Sequence, residues 1–250
     1  MTTPTLQLAP DGRATITLNR PRYLNRLHRE DLLALQAHFE TLARDRGARV
    51  LVLTGDGRAF CAGFHIGELD GGSDPQLFER TVDALESLPL PTIARLNGGV
   101  YGGATDLALA CDFRVGVAGM ELRMPAAALG LHYYPSGLRR YVSRLGVAAA
   151  KRLFLLAETL PGATLREIGY LDALVEPDAL DAEVDRIAKA LSANAPLAVR
   201  GMKRSLDEIA RGSLDLEALR RREAECAASA DLREGLAAFA EKRAPRFSGS

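Results

Sequence analysis

Cysteine is scarce and scattered: Cys61, Cys111 and Cys226 are the three in 250 residues. An odd, widely spaced set is not a disulfide framework, and it fits a reducing compartment, so a cytoplasmic protein is expected. No CxxC pair and no Cys/His cluster stands at metal-ligand spacing, so no metal site is expected. No stretch stays apolar over the ~18 residues that a membrane span requires. The opening MTTPTLQLAPDGRATITL has no basic segment followed by an apolar run, so it does not read as a signal peptide. Neither sign of charge prevails: 32 Lys and Arg face 32 Asp and Glu. That balance gives no global field to gather nucleic acid or an anionic membrane surface. No fixed-period repeat and no low-complexity tract interrupts the chain.

Apolar residues make up 47% of the chain, enough for a sizeable core. Ala14–Leu18 alternates and is β-branched before Asn19-Arg20-Pro21, which predicts a strand. Glu30–Ala43 places Leu32, Leu35, Phe39 and Leu42 at helical spacing and is stopped by Gly47. Val50–Thr54 predicts a buried strand ending in Gly-Asp-Gly. Pro75–Leu88 predicts a helix, Thr92–Leu96 a strand, Gly102–Ala110 a helix and Phe113–Val117 a strand. This alternation argues for α/β architecture. Beyond Gly146 the pattern becomes almost wholly helical, with Asp181–Ala193, Ala198–Ala210, Asp215–Ala228 and Leu232–Arg243 as the candidates. Asn194-Ala195-Pro196 marks a break there, so residues 1–195 are expected to form a core and 196–250 a helical region.

Two segments carry chemistry. Ala59-Phe60-Cys61-Ala62-Gly63-Phe64-His65-Ile66 follows a buried strand, and its glycine permits a turn that points a peptide N–H into a pocket. Asn97-Gly98-Gly99-Val100-Tyr101-Gly102-Gly103-Ala104-Thr105-Asp106 also joins a strand to a helix. The first N–H groups of a helix lack intrahelical partners and lie at its positive end. Spacing excludes the dinucleotide fingerprint and the P-loop, and neither a GxSxG elbow nor an HExxH zinc motif is present. Two such turns can supply one N–H each to a single oxyanion, the requirement for stabilising an enolate or a tetrahedral intermediate. Asp106 lies about one helical turn beyond Gly103 and can face the same pocket, or can simply complement the helix dipole.

The chain resembles the crotonase superfamily, the enoyl-CoA hydratases and isomerases, over nearly its whole length. The matching segments are Ile16–Pro21, Leu24–Leu27, Ala59–Ile66, Pro91–Asp112, Pro125, Leu129–Leu131, Gly137-Leu138, Glu234–Phe239 and Glu241–Phe247. The resemblance implies a spiral of repeated β-β-α units with a C-terminal helical region, and a trimer or a dimer of trimers. It implies the acyl-CoA chemistry of fatty acid metabolism. It implies no permanently bound cofactor, with coenzyme A arriving as part of the thioester substrate. By the same resemblance, Phe64 and Gly103 donate the oxyanion N–H groups. Arg22 and Lys242 meet the CoA phosphates. Leu24, Ala62, His65 and Ile66 lie along the adenine and pantetheine. Gly67 stands where many relatives have a lysine.

Departures from the family pattern concern the proton-handling groups. Hydratases of this kind hold a water between two glutamates. The first position is Asp106 here and the second is Ala126; an aspartate that some relatives carry further on is replaced by Tyr134. One carboxylate suits double-bond isomerisation better than hydration. His132 and His65 can also transfer protons near neutral pH, or merely line the pocket. His28 and His38 fall in an ordinary helix pattern. Hydrolase and lyase chemistry stay open, as does an acyl-CoA-binding or assembly protein without turnover.

Overall fold

The computed structural model describes residues 2–68 and 74–250, without the side chain of Ile66. Its strands are β1 (Thr5–Leu8), β2 (Arg13–Leu18), β3 (Val50–Gly55), β4 (Ala59–Cys61), β5 (Thr92–Leu96), β6 (Gly99–Tyr101), β7 (Phe113–Val117), β8 (Glu121–Arg123), β9 (Thr159–Pro161) and β10 (Ala173–Val175). The helices are α1 (Arg29–Arg44), α2 (Leu77–Glu86), α3 (Ala104–Leu109), α4 (Pro135–Lys151), α5 (Gly162–Glu167), α6 (Leu180–Ser192), α7 (Pro196–Ala210), α8 (Leu216–Ala228) and α9 (Ala230–Glu241).

The strands divide between two sheets. One has the order β1-β2-β3-β5-β7-β10 and the other β4-β6-β8-β9. Each repeat lays one strand in the first sheet, the next strand in the second, and then a helix: β3-β4-α2, β5-β6-α3, β7-β8-α4. This is the spiral of β-β-α units that the family resemblance implies. Sequence composition follows position. β3 is central and parallel, and Val50–Leu53 are all buried. β2 lies nearer the edge and buries only Ala14, Ile16 and Leu18.

Three expectations need correction. Ala59–Cys61, read as part of a turn, is a strand that opens the second sheet. The helix expected from Gly102 starts at Ala104, because Gly102 has φ +55° and lies outside the helical region. The region after Gly146 is not wholly helical, since β9 and β10 add a strand to each sheet. Strands of three residues are too short to display an alternation.

A buried asparagine latches the first connection to this core. Asn25, at φ +56°, donates through Nδ2 to the carbonyls of Asp56, Ala59 and Phe60, and its Oδ1 accepts from the Arg20 N–H. Ala62 then donates to the Leu24 carbonyl and Leu27 to that of Gly63, which fixes the run into β4's following turn. α7 is tied to the core by Lys203 on Asp112 and Arg211 on Glu86. α7, α8 and α9 leave Leu206, Ile209, Leu216, Leu236 and Phe239 exposed.

Candidate active site

The two glycine turns meet. Gly63 has φ +89°, and a Cβ there would lie 2.6 Å from the Tyr101 carbonyl oxygen and 3.1 Å from the Gly103 nitrogen. Only glycine permits both that backbone angle and that approach. Neighbouring N–H groups are occupied: Gly63 donates to Cys61 Sγ, His65 to the Leu27 carbonyl and Gly102 to the Arg123 carbonyl. Among the described residues, no acceptor meets the N–H of Phe64 or of Gly103. Phe78 of α2 packs beside both: its ring lies 5.9 Å from that of Phe64, and a Cβ on Gly103 would fall 2.6 Å from its Cζ.

Asp106 is completely buried. Its Oδ2 accepts from the Tyr134 hydroxyl at 2.5 Å and from Arg140 Nη1 at 2.6 Å. Its other oxygen, Oδ1, is buried without a hydrogen-bond partner among the described residues. The carboxylate therefore engages α4 and does not cap its own helix. Tyr134 occupies the N-cap of α4, with Pro135 at the first helical position. Tyr133 stacks on Tyr134 at 4.3 Å and donates its hydroxyl to the Tyr134 oxygen at 3.3 Å. Gly137 makes room for the pair, since a Cβ there would lie 2.4 Å from Tyr133 Cε1.

Arg140, also completely buried, is shared. Its Nε donates to Glu86 Oε1 at 2.9 Å and its Nη2 to Asp83 Oδ1 at 2.7 Å. Glu86 is further met by Arg139 at 3.1 Å and Arg211 at 2.9 Å, with Arg144 at 3.6 Å. Burial opposes ionisation of Glu86, but Arg140 and the other arginines outweigh it and push the carboxyl down to about 2. Asp106 has the opposite balance. Burial raises its pKa, and Arg140 with Tyr134 recovers only part of the cost. Burial also holds the Tyr133 and Tyr134 hydroxyls well above 10, so both stay protonated.

These shifts fix a stability prediction. Glu86 is depressed in the folded chain relative to its ordinary 4.5. Its contribution is therefore complete above pH 4.5 and is lost as pH falls toward 2. Glu86→Gln removes one partner from a buried ion-pair cluster and is expected to cost about 3–5 kcal/mol near neutral pH. Urea unfolding at pH 7 and pH 3 tests this: the deficit should shrink at the lower pH. An equal deficit at both would contradict it.

A cavity of about 940 Å³ collects much of the expected site. Ala62, Phe64, Gly103, Ala126, His132 and Tyr134 line it, with Tyr133 and Phe78. Asp106 is not in its lining; Tyr134 stands there instead, bonded to the carboxylate. Arg22 and Lys242 are exposed and, with Leu24 and His65, do not line it either. The Ile66 side chain lies outside the described residues. His28, read from sequence as an ordinary helix residue, is the N-cap of α1 and does line the cavity, whereas His38 bonds the Pro4 carbonyl. Arg140 and Phe78 escaped the sequence reading. The one available signal was Arg140 at the spacing of the buried Gly137 and Tyr141 on α4.

The same residues place the chain among known proteins. The family model described as "Enoyl-CoA hydratase/isomerase" matches residues 9–250. Crotonyl-CoA hydratase of Syntrophomonas wolfei is 29% identical over 94% of each chain. The bovine (Bos taurus) mitochondrial enoyl-CoA hydratase domain-containing protein 2 is 34% identical over 95% of this chain and 85% of its own. The crystal structure of an enoyl-CoA hydratase from Bacillus anthracis superposes with a TM-score of 0.90 at 30% identity, covering 100% of both chains.

Proposed function

The chain belongs to the enoyl-CoA hydratase/isomerase family, and from that premise we propose that it forms a thioester enolate of an enoyl-CoA and moves the double bond by proton transfer. The observation that carries this reading is the pair of N–H groups, Phe64 and Gly103, that meet no acceptor among the described residues, in the wall that also holds Tyr134 hydrogen-bonded to Asp106. The thioester oxygen lies between the two donors, which stabilise the charge that develops on it.

Asp106 is the acid/base group, and it is reached through Tyr134. The substrate C–H proton passes to the Tyr134 oxygen as the Tyr134 proton passes to Asp106 Oδ2. The C–H electron pair becomes the enolate double bond, and the thioester oxygen takes the charge. Return of the proton at the other end of the allylic system completes the shift. A raised aspartate pKa brings the base closer to the strength that proton transfer at neutral pH requires. Ala126 supports isomerisation over hydration, because it leaves no second carboxylate at that position to hold a water.

CoA phosphates meet Arg22 and Lys242, and the exposed apolar residues of α7–α9 support self-association into a trimer or hexamer, which a sedimentation mass checks. Incubating 2-enoyl- and 3-enoyl-CoA thioesters of graded length with the protein tests the reaction. Double-bond isomers are expected, without added water, and Arg22→Ala with Lys242→Ala should raise KM more than it lowers kcat. A hydrated product would overturn the assignment to isomerisation.

A further inference from the structure

We propose that His28, His65 and Glu68 form a binding site for a divalent ion of the zinc class at the rim of the cavity. The three residues come from two places, His28 from the N-cap of α1 and His65 with Glu68 from the 3₁₀ turn Ile66–Glu68 and the residue before it. Their ligating atoms all lie within 4.8 Å of one another. His28 Nδ1 is 2.5 Å from Glu68 Oε1, and the two imidazoles stack at 4.9 Å. Two imidazoles and a carboxylate are the donor set that zinc takes when one position is left open.

Three further observations bear on the site. His65 Nδ1 is buried and has no hydrogen-bond partner among the described residues. A buried ring nitrogen without a partner is costly, and a metal bond would satisfy it. Gly67 also fits the ring: a Cβ there would lie 2.7 Å from His65 Cε1 and 3.1 Å from Nδ1. Any side chain at 67 would push the imidazole off the backbone. The second oxygen of Glu68 accepts the Arg29 N–H at 2.8 Å, an outer hydrogen bond that orients the carboxylate as such bonds orient metal ligands.

Tetrahedral bonds of about 2.1 Å set ligand atoms about 3.4 Å apart. The His28–Glu68 pair, at 2.5 Å, must therefore open by about 0.9 Å while the widest spacing in the cluster closes by up to about 1.4 Å, and partly exposed side chains can do this by rotating. His28 and Glu68 line the cavity, so an ion held by them would sit at its rim. The bound ion would also pin the residue next to Phe64, and so stiffen the turn that carries one of the two proposed oxyanion donors.

Cobalt(II) titration of the full chain, followed by its visible absorption, and zinc titration by calorimetry test the site. One equivalent is expected to bind saturably, with an absorption typical of a nitrogen- and oxygen-ligated ion. His65→Ala and Glu68→Gln should each weaken binding by at least about tenfold, the loss typical even of outer-sphere changes. The chain has four histidines, so His38→Ala and His132→Ala serve as controls and should bind as the wild type does. Circular dichroism checks that each variant folds. No saturable binding, or binding that survives His65→Ala, or binding lost in either control, would overturn the site.

Discussion

Asp106→Asn is expected to slow proton exchange at the substrate α- or γ-carbon by about 10²–10⁴-fold while leaving CoA-thioester binding largely intact. The carboxylate is the end of a short chain, Tyr133 to Tyr134 to Asp106, in which each hydroxyl donates to the next oxygen. An amide at 106 keeps the shape but cannot take the proton. Tyr134→Phe breaks the same chain one step nearer the cavity and should lose a similar factor. His132→Ala should lose little, because His132 is exposed and its Nδ1 faces the Tyr133 carbonyl. The pH profile adds a second readout. Exchange should rise with pH as Asp106 loses its proton, and burial places that limb above the ordinary aspartate value of about 3.9. The limb should vanish in Asp106→Asn. Arg140 retains Glu86 and Asp83 as partners, so the variant should fold, which circular dichroism checks. Wild-type exchange in folded Asp106→Asn would remove this residue from the chemistry.

Gly103→Pro should lower kcat/KM by about 10²–10³-fold, or 2.7–4 kcal/mol, through loss of one oxyanion donor. The backbone at 103 has φ −57°, close to the angle proline imposes, but Gly102 before it has φ +55°, which a following proline ring crowds, so the substitution strains the helix start and circular dichroism must show that the variant folds. Packing is the confounding effect, because any Cβ at this position meets the Phe78 ring at 2.6 Å. Gly103→Ala separates the two. It adds the same Cβ but keeps the N–H, and should retain most of the activity that proline loses. Equal losses in both would assign the effect to Phe78 and not to the donor.

Much of this arrangement was legible in the sequence because it depends on local patterns. Strand β5 and strand β7 have the expected boundaries, since short runs rich in apolar and β-branched residues, interrupted only by Arg95 in one and by Arg114 and Gly116 in the other, leave few alternatives between turns. Gly63 was visible because its positive φ and close backbone approach admit only glycine, and Gly103 because it closes a glycine pair at a strand-to-helix turn. β4, β6 and β8 were not, since strands of three residues carry no period. Arg140 was missed for a different reason. An arginine on a helix reads as solvent-facing, and only the tertiary position of Glu86 and Asp106 makes its burial possible. The screening of Asp106 by Tyr134 depends on how α4 packs on α3, which neither segment encodes alone. The His28–His65–Glu68 cluster was illegible because only His65 and Glu68 are close in sequence, and the bridge pairing Leu27 with Phe64 brings His28 to them.

Deuterium incorporation tests enolate formation most directly. The wild-type protein is mixed with a short-chain 3-enoyl-CoA in D₂O, and substrate and product are followed by mass spectrometry. The expected result is deuterium at the α- or γ-carbon on the timescale of double-bond movement, with both lost together in Asp106→Asn and in Tyr134→Phe. Tight binding of enoyl-CoA thioesters of every length with no deuterium incorporated into any of them would contradict it, and would make the chain an acyl-CoA-binding protein without turnover.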